Sequence, residues 1–255
     1  MNDQQMLRYS RHLLLPQAGH EAQERWLAAH VIIIGIGGLG SPAAQYLASA
    51  GVGKLTLCDH DVVELTNLQR QTLYAVADIG KRKVEAARER LLAINSEIDI
   101  QTRDEKLTLS TLMALAQGAS VILDCSDNFE TRHAVNRACV AARVPLISGA
   151  AIRFDGQITV FDNRDAASPC YHCLFAENEA IENVRCATMG VFAPLVGMIG
   201  AMQAGEALKL IAGIGETLAN RLLVLNALSM QWQTIRIKKN PDCLVCAAQK
   251  TGRVE

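Results

Sequence analysis

The chain has 255 residues, half of them hydrophobic and 20% charged, with a formal net charge of −1. That is enough apolar material for one large core, and so even a charge balance gives no reason to expect nucleic acid or a membrane surface as a partner. The longest apolar run, 191–204, stops at Gly205-Glu206. It falls short of the ~20 residues a membrane span needs and reads as a buried helix. The start, MNDQQMLRYSRHLL, contains no uninterrupted apolar stretch and reads as no signal peptide, so the cytoplasm is the expected compartment.

Residues 1–29 read as a helical arm with a break at Pro16. Val31 to Gly35 is apolar and β-branched, as in a parallel strand buried on both faces. A helix is expected over Ala43–Ala50 and a second strand over Lys54–Asp59. Asp78 is placed to cap a helix reaching Asn95. A weak strand at Ile98–Arg103 and a short one at Val121–Asp124 follow, then a helix over Glu130–Arg143 and a strand over Val144–Ser148. This alternation predicts an α/β fold, a Rossmann-like, doubly wound, mainly parallel sheet. The pattern then changes. Residues 151–161 predict a hairpin with a type I′ turn at Asp155-Gly156, and Arg221–Leu225 and Gln231–Lys238 read as further antiparallel strands. The helix before them opens near Pro194 and ends near Gly213. The expected organisation is a helical arm, 1–29, and a single nucleotide-binding domain, 30–250.

Gly35-Ile36-Gly37-Gly38-Leu39-Gly40 follows a strand and opens a helix. Glycines let the backbone approach a phosphate, whose charge the helix N-terminus attracts. Asp59, at the end of the second strand, is placed to accept from ribose hydroxyls. A turn serving only helix–sheet packing is the alternative. Asn67-Leu68-Gln69-Arg70-Gln71 lies where ligands bind in such sheets, and Lys83 lies on the next helix. Arg70 and Lys83 suit a triphosphate clamp, although Lys83 also fits a solvated helix face. Asp127 suits magnesium beside phosphates, but it or Asn128 equally suits a helix cap. The six histidines are expected to lie outside these motifs, which leaves a dehydrogenase without a proton donor.

Two CxxC pairs, Cys170/Cys173 and Cys243/Cys246, suit a closed tetrahedral zinc, with two unrelated thiol turns as the alternative. Cys186 follows a polar stretch, 177–185.

Taken together, RYSRHLLL, GIGGLGSPAAQYLASAGVGKLTLCDHD, NLQRQTL, IGKRKVEAA, DCSDN, the two CxxC pairs and the helix after Cys186 resemble the ThiF/MoeB/HesA family, relatives of the ubiquitin-activating enzymes. The resemblance covers nearly the whole chain. It implies ATP rather than NAD, with Mg2+ and a structural Zn2+, and a homodimer. The implied reaction is adenylation of the C-terminal Gly-Gly carboxylate of a ubiquitin-like sulfur carrier. SGAAIRFDGQITVF and NPDCLVC lean toward the branch that serves molybdopterin synthase, with the thiamine-pathway carrier second. A sulfurtransferase or cysteine desulfurase is implied as sulfur donor. Carried onto this sequence, Gly38 approaches the nucleotide and Asp59 takes the ribose. Asn67, Arg70, Gln71 and Lys83 surround the phosphates, and Asp127 holds magnesium with Asn128 beside it. Thr66 stands where relatives have serine. Arg11 matches an arginine that reaches the neighbouring subunit's phosphates. Cys186 matches a cysteine that links covalently to the carrier in some members; a spare thiol is the alternative. Two other readings are an NAD-dependent oxidoreductase and a non-catalytic ATP-binding scaffold.

Overall fold

A computed structural model describes residues 1–177 and 189–247. Strands β1 (His30–Ile34), β2 (Lys54–Cys58), β3 (Asp99–Arg103), β4 (Val121–Asp124), β5 (Leu146–Ile152), β6 (Asp155–Phe161), β7 (Arg221–Asn226) and β8 (Gln231–Arg236) form one sheet, ordered β3-β2-β1-β4-β5-β6-β7-β8. Pairing is parallel from β3 to β5 and antiparallel from β5 to β8. The expected doubly wound fold with an antiparallel extension is therefore present. The strand order reverses between β1 and β4, the place where such sheets open a crevice at their carboxyl ends.

Helices cover both faces of the parallel half, which is why Val31, Ile32 and Ile33 are wholly buried. On one face lie α4 (Gly40–Ala50), α5 (Lys83–Ile94) and α9 (Ala193–Ala212); on the other lie α6 (Leu109–Ala116) and α7 (Phe129–Ala142). A short α8 (Tyr171–Leu174) carries the first CxxC. The arm comprises α1 (Asp3–Arg8), α2 (Ser10–Leu13) and α3 (Gly19–Ala28), and Trp26 of α3 donates to Leu208 O of α9 at 2.8 Å. By length and composition α9 passes as a membrane span, but it packs over β5 and β6 with Leu195, Ile199 and Ala207 buried.

Two expectations are corrected. No helix starts at Asp78: residues 76–78 form a 3-10 turn, Gly80 follows at φ 89°, and α5 begins at Lys83. Asp78 does cap, but it caps its own turn, accepting from Ala75 N at 2.9 Å. The hairpin turns at Arg153-Phe154, since Ile152 pairs with Asp155. Gly156 lies inside β6, where a Cβ would come within 2.8 Å of Leu195 and 2.9 Å of Ile199. That glycine makes room for α9 rather than for a turn.

Candidate active site

The β1–α4 loop stands at the crevice. Gly40 lets it fold back on itself: a Cβ there would lie 2.0 Å from Gly35 O. Three side chains fix the loop from outside. Asp59 accepts from Ile36 N at 2.8 Å, Tyr74 donates to Ile36 O at 2.8 Å, and Gln71 stands against Gly37. Burial, with Asp59, Asp61 and Asp78 nearby, pushes the Tyr74 phenol well above its ordinary range, so it stays a donor. Gln71 is buried, its Nε2 would stand 3.5 Å from a Cβ at Gly37, and its Oε1 has no hydrogen-bond partner. Gly38 is forced by α9 as well, because a Cβ would meet Val196 at 3.0 Å.

Beside the loop lies a cleft of ≈ 300 Å³ lined by His60, Asp61, Val62, Glu64, Asn67, Arg82 and Lys83. Lys83 is only 5% exposed, and its Nζ donates to Asp61 Oδ2 at 2.8 Å. It is therefore not the solvated-face residue that its helical position allowed. Burial raises the Asp61 carboxyl, but the hydrogen bond and charge of Lys83, with His60 and Arg82, outweigh it and hold Asp61 below its ordinary value. Asn67 is buried and accepts from Glu64 N at 3.2 Å. Arg70 is half-buried and donates to Thr66 O at 2.9 Å. Leu68 packs on the core; Thr66 and Gln69 are exposed. Sequence reasoning missed Asp61 and His60, both in the cleft, although they flank each other in the Asp-His-Asp run that was read only for Asp59. Period-2 alternation past the strand end was the available signal.

Asp127 is exposed on the loop after β4, where Asn128 Nδ2 donates to its Oδ1 at 3.4 Å. Asn128 caps α7, accepting from Thr131 N at 2.9 Å. Beneath them sits a buried polar cluster. Asp124, fully buried, accepts from Ser126 Oγ at 2.6 Å and faces Arg132 at 3.6 Å, and Gln203 of α9 donates to Asp124 O at 2.9 Å. Breaking such a buried charge pair costs about 3–5 kcal/mol, so the loop bearing Asp127 rests on a stiff base.

Arg11 is exposed and makes no hydrogen bond or ion pair among the described residues. Its neighbours tie it to the carboxyl end of α4. Tyr9 packs on Gly51 and accepts from Asn95 at 3.0 Å, while His12 meets Gln23, which donates to Ala50 O. The glycine loop lies at the other end of that 11-residue helix, roughly 16 Å away. The structure thus does not bring Arg11 to its own chain's cleft. Cys186 lies outside the described residues.

The second centre is the cysteine cluster. Sγ···Sγ distances are 3.9 Å for Cys170–Cys173, 3.7 Å for Cys170–Cys243 and 3.5 Å for Cys173–Cys246. A tetrahedral zinc with Zn–S bonds of ~2.3 Å sets sulfurs ~3.8 Å apart, so the four residues fit the ion. The hydrogen bond from Cys170 lowers Cys173 to about 4, while burial and Cys173 push Cys246 up to about 11. Such a cluster ionises together only around a cation. Asn136 of α7 accepts from Tyr171 N at 2.9 Å and donates to Cys170 Sγ at 3.6 Å, orienting the first pair.

Residues 9–245 match the model of the ThiF family. The chain belongs to that family. Molybdopterin-synthase adenylyltransferase of Escherichia coli K12 is 46% identical over 249 residues, 96% of this chain and 98% of that protein. The adenylyltransferase and sulfurtransferase MOCS3 of Drosophila grimshawi is 47% identical over 253 residues; the match takes 98% of this chain but only 56% of the longer fly protein. Among solved structures, Escherichia coli MccB with ATP superposes with a TM-score of 0.82 at 27% identity, covering 94% of this chain and 73% of MccB. The fold is thus that of a ThiF-family protein.

Proposed function

We propose that this adenylyltransferase uses ATP to adenylate the C-terminal Gly-Gly carboxylate of a ubiquitin-like sulfur carrier of the molybdopterin-synthase type. The carrying observation is the buried Lys83, which lines the cleft and donates to Asp61 there. The 46%-identical Escherichia coli relative carries the adenylyltransferase name, which favours ATP over a dinucleotide. A scaffold that only binds ATP need not keep both this lysine and the half-buried Arg70.

An α-carboxylate has a pKa of ~3.5 and is ionised at neutral pH, so the nucleophile needs no general base. The chain's work is to align that carboxylate with the α-phosphate and to stabilise charge as pyrophosphate leaves. Asp59 keeps lone pairs for the ribose while it pins Ile36. Lys83, Arg70 and Asn67 face the phosphates, with Gly38, Gln71 and the other members of the 66–71 run around them. Asp127 would hold Mg2+, which neutralises phosphate charge when bound. His60 lines the cleft too, against expectation, with Nε2 3.8 Å from Asp61 Oδ1, and the chemistry asks for no base from it.

Arg11, tied to the wrong end of α4 for its own site, serves the site of a second copy; a two-fold dimer then builds two shared sites. Zinc in the four-cysteine cluster staples α8 to the C-terminal loop. A separate sulfurtransferase or cysteine desulfurase supplies sulfur, and the thiamine-pathway carrier is the second candidate substrate. The reaction is tested by incubating the chain with Mg-ATP and purified carrier and weighing the carrier. A carrier heavier by one adenylyl group, with pyrophosphate released, supports the reading; an unmodified carrier with bound and reduced NAD overturns it.

A further inference from the structure

Resting on that reading, we propose that Asp61 is a positioning residue for Lys83, the counter-ion that keeps the ammonium aimed at the phosphate end of the cleft. Two contacts join the residues. Asp61 O accepts from Lys83 N at 3.0 Å, and Asp61 Oδ2 accepts from Lys83 Nζ at 2.8 Å. Asp61 is itself fixed, because its N–H donates to Asp59 Oδ1 at 3.0 Å while Asp59 Oδ2 holds Ile36 N at 2.8 Å. A continuous run of hydrogen bonds therefore leads from the glycine loop through Asp59 and Asp61 to Lys83.

The exposures are unequal. The Lys83 side chain is 7% exposed and that of Asp61 54%. The lysine is thus stripped of water before any nucleotide arrives, and its charge is balanced by a group that still faces the cleft. Around the pair stand His60, Glu64 and Arg82. A desolvated, oriented cation stabilises developing charge without reorganising during the reaction. Lys83 without Asp61 keeps its charge but loses its aim.

This role has a kinetic signature. Asp61 is itself an anion beside a triphosphate, so removing its charge lowers repulsion in the ground state while spoiling alignment. In the full chain, Asp61→Asn is expected to lower kcat for carrier-dependent ATP–pyrophosphate exchange by about 10–100-fold, since misplacement by ~1 Å costs up to ~100-fold. KM for ATP should hold or fall, and Asp61→Glu should recover part of kcat. A second measurement needs no activity: mapping by mass spectrometry where an amine-reactive acetylating reagent lands. Lys83 should label several-fold faster in Asp61→Asn than in the unaltered chain, at unchanged Tm. Unaltered kcat, a rise in KM that follows a fall in Tm, or equal labelling of Lys83 would each overturn the assignment. If the unaltered chain shows no exchange at all, the adenylation reading fails, and the labelling comparison alone still decides whether Asp61 holds Lys83.

Discussion

The cleft and the cysteine cluster hold their side chains in opposite ways. The groups lining the cleft are ionic and partly open: Asp61 and Glu64 are exposed, while Lys83 is buried behind them. Their rigidity comes from layers below, from Asp124 with Arg132 and from α4 and α9. Packed against α7 through Val140 and Asn136, Cys170, Cys243 and Cys246 are buried, with their sulfurs drawn together. A reacting site must admit a substrate and so leaves its charges incompletely paired; a structural metal site excludes everything but the ion. In the reading proposed above, one chain thus separates the residues that do chemistry from those that hold the fold. Perturbing each centre should therefore give different symptoms.

The largest effect is expected at the closed centre. Cys173→Ser or Cys246→Ser should lose about one zinc per chain and destabilise the fold by several kcal/mol, because structural zinc binding is coupled to folding. Exchange activity should decline only in step with the folded fraction, measured by circular dichroism and elemental analysis. Metal-free, fully stable, unaltered-sequence protein would erase the distinction between the two centres.

A second experiment probes the open site. Arg11→Ala and Asp127→Ala are each expected to be nearly inactive yet folded. Co-expressed, random pairing makes half the dimers mixed, and each mixed dimer has one intact site of two. Roughly a quarter of the unaltered activity should return by symmetry counting. Mixed dimers confirmed by mass without any recovery would confine Arg11 to its own chain. The smallest effect is expected from Cys186→Ala, which should keep full carrier-dependent exchange, since carboxylate attack on phosphorus uses no thiol. Only later sulfur transfer should respond. A folded Cys186→Ala chain without exchange would place this cysteine in the adenylation step.

The parallel core was legible because its strands are buried on both faces and spell continuous apolar runs, as Val31–Ile34 does. The cysteine cluster was legible because two CxxC pairs have the spacing that suits a tetrahedral zinc. What the sequence hid were choices made by long-range packing. Asp155-Gly156 has the letters of a tight turn, but α9 needs the missing Cβ at Gly156, and the turn moved back to Arg153-Phe154. Asp78 has the letters of a helix cap, yet Lys81 and Arg90, each 3.1 Å away, hold it in its own turn before α5 begins. Asp61 was invisible for the same reason: its partner Lys83 lies 22 residues on, and only the fold sets them 2.8 Å apart.

In the reading proposed for this chain, the open cleft activates a carboxylate at the end of another protein. The decisive measurement is exchange of labelled pyrophosphate into ATP, run with an intact carrier and with one lacking its last glycine. Mg2+-dependent exchange is expected with the intact carrier and none with the shortened one. Equal exchange with both, or exchange with no carrier present, would contradict that reading.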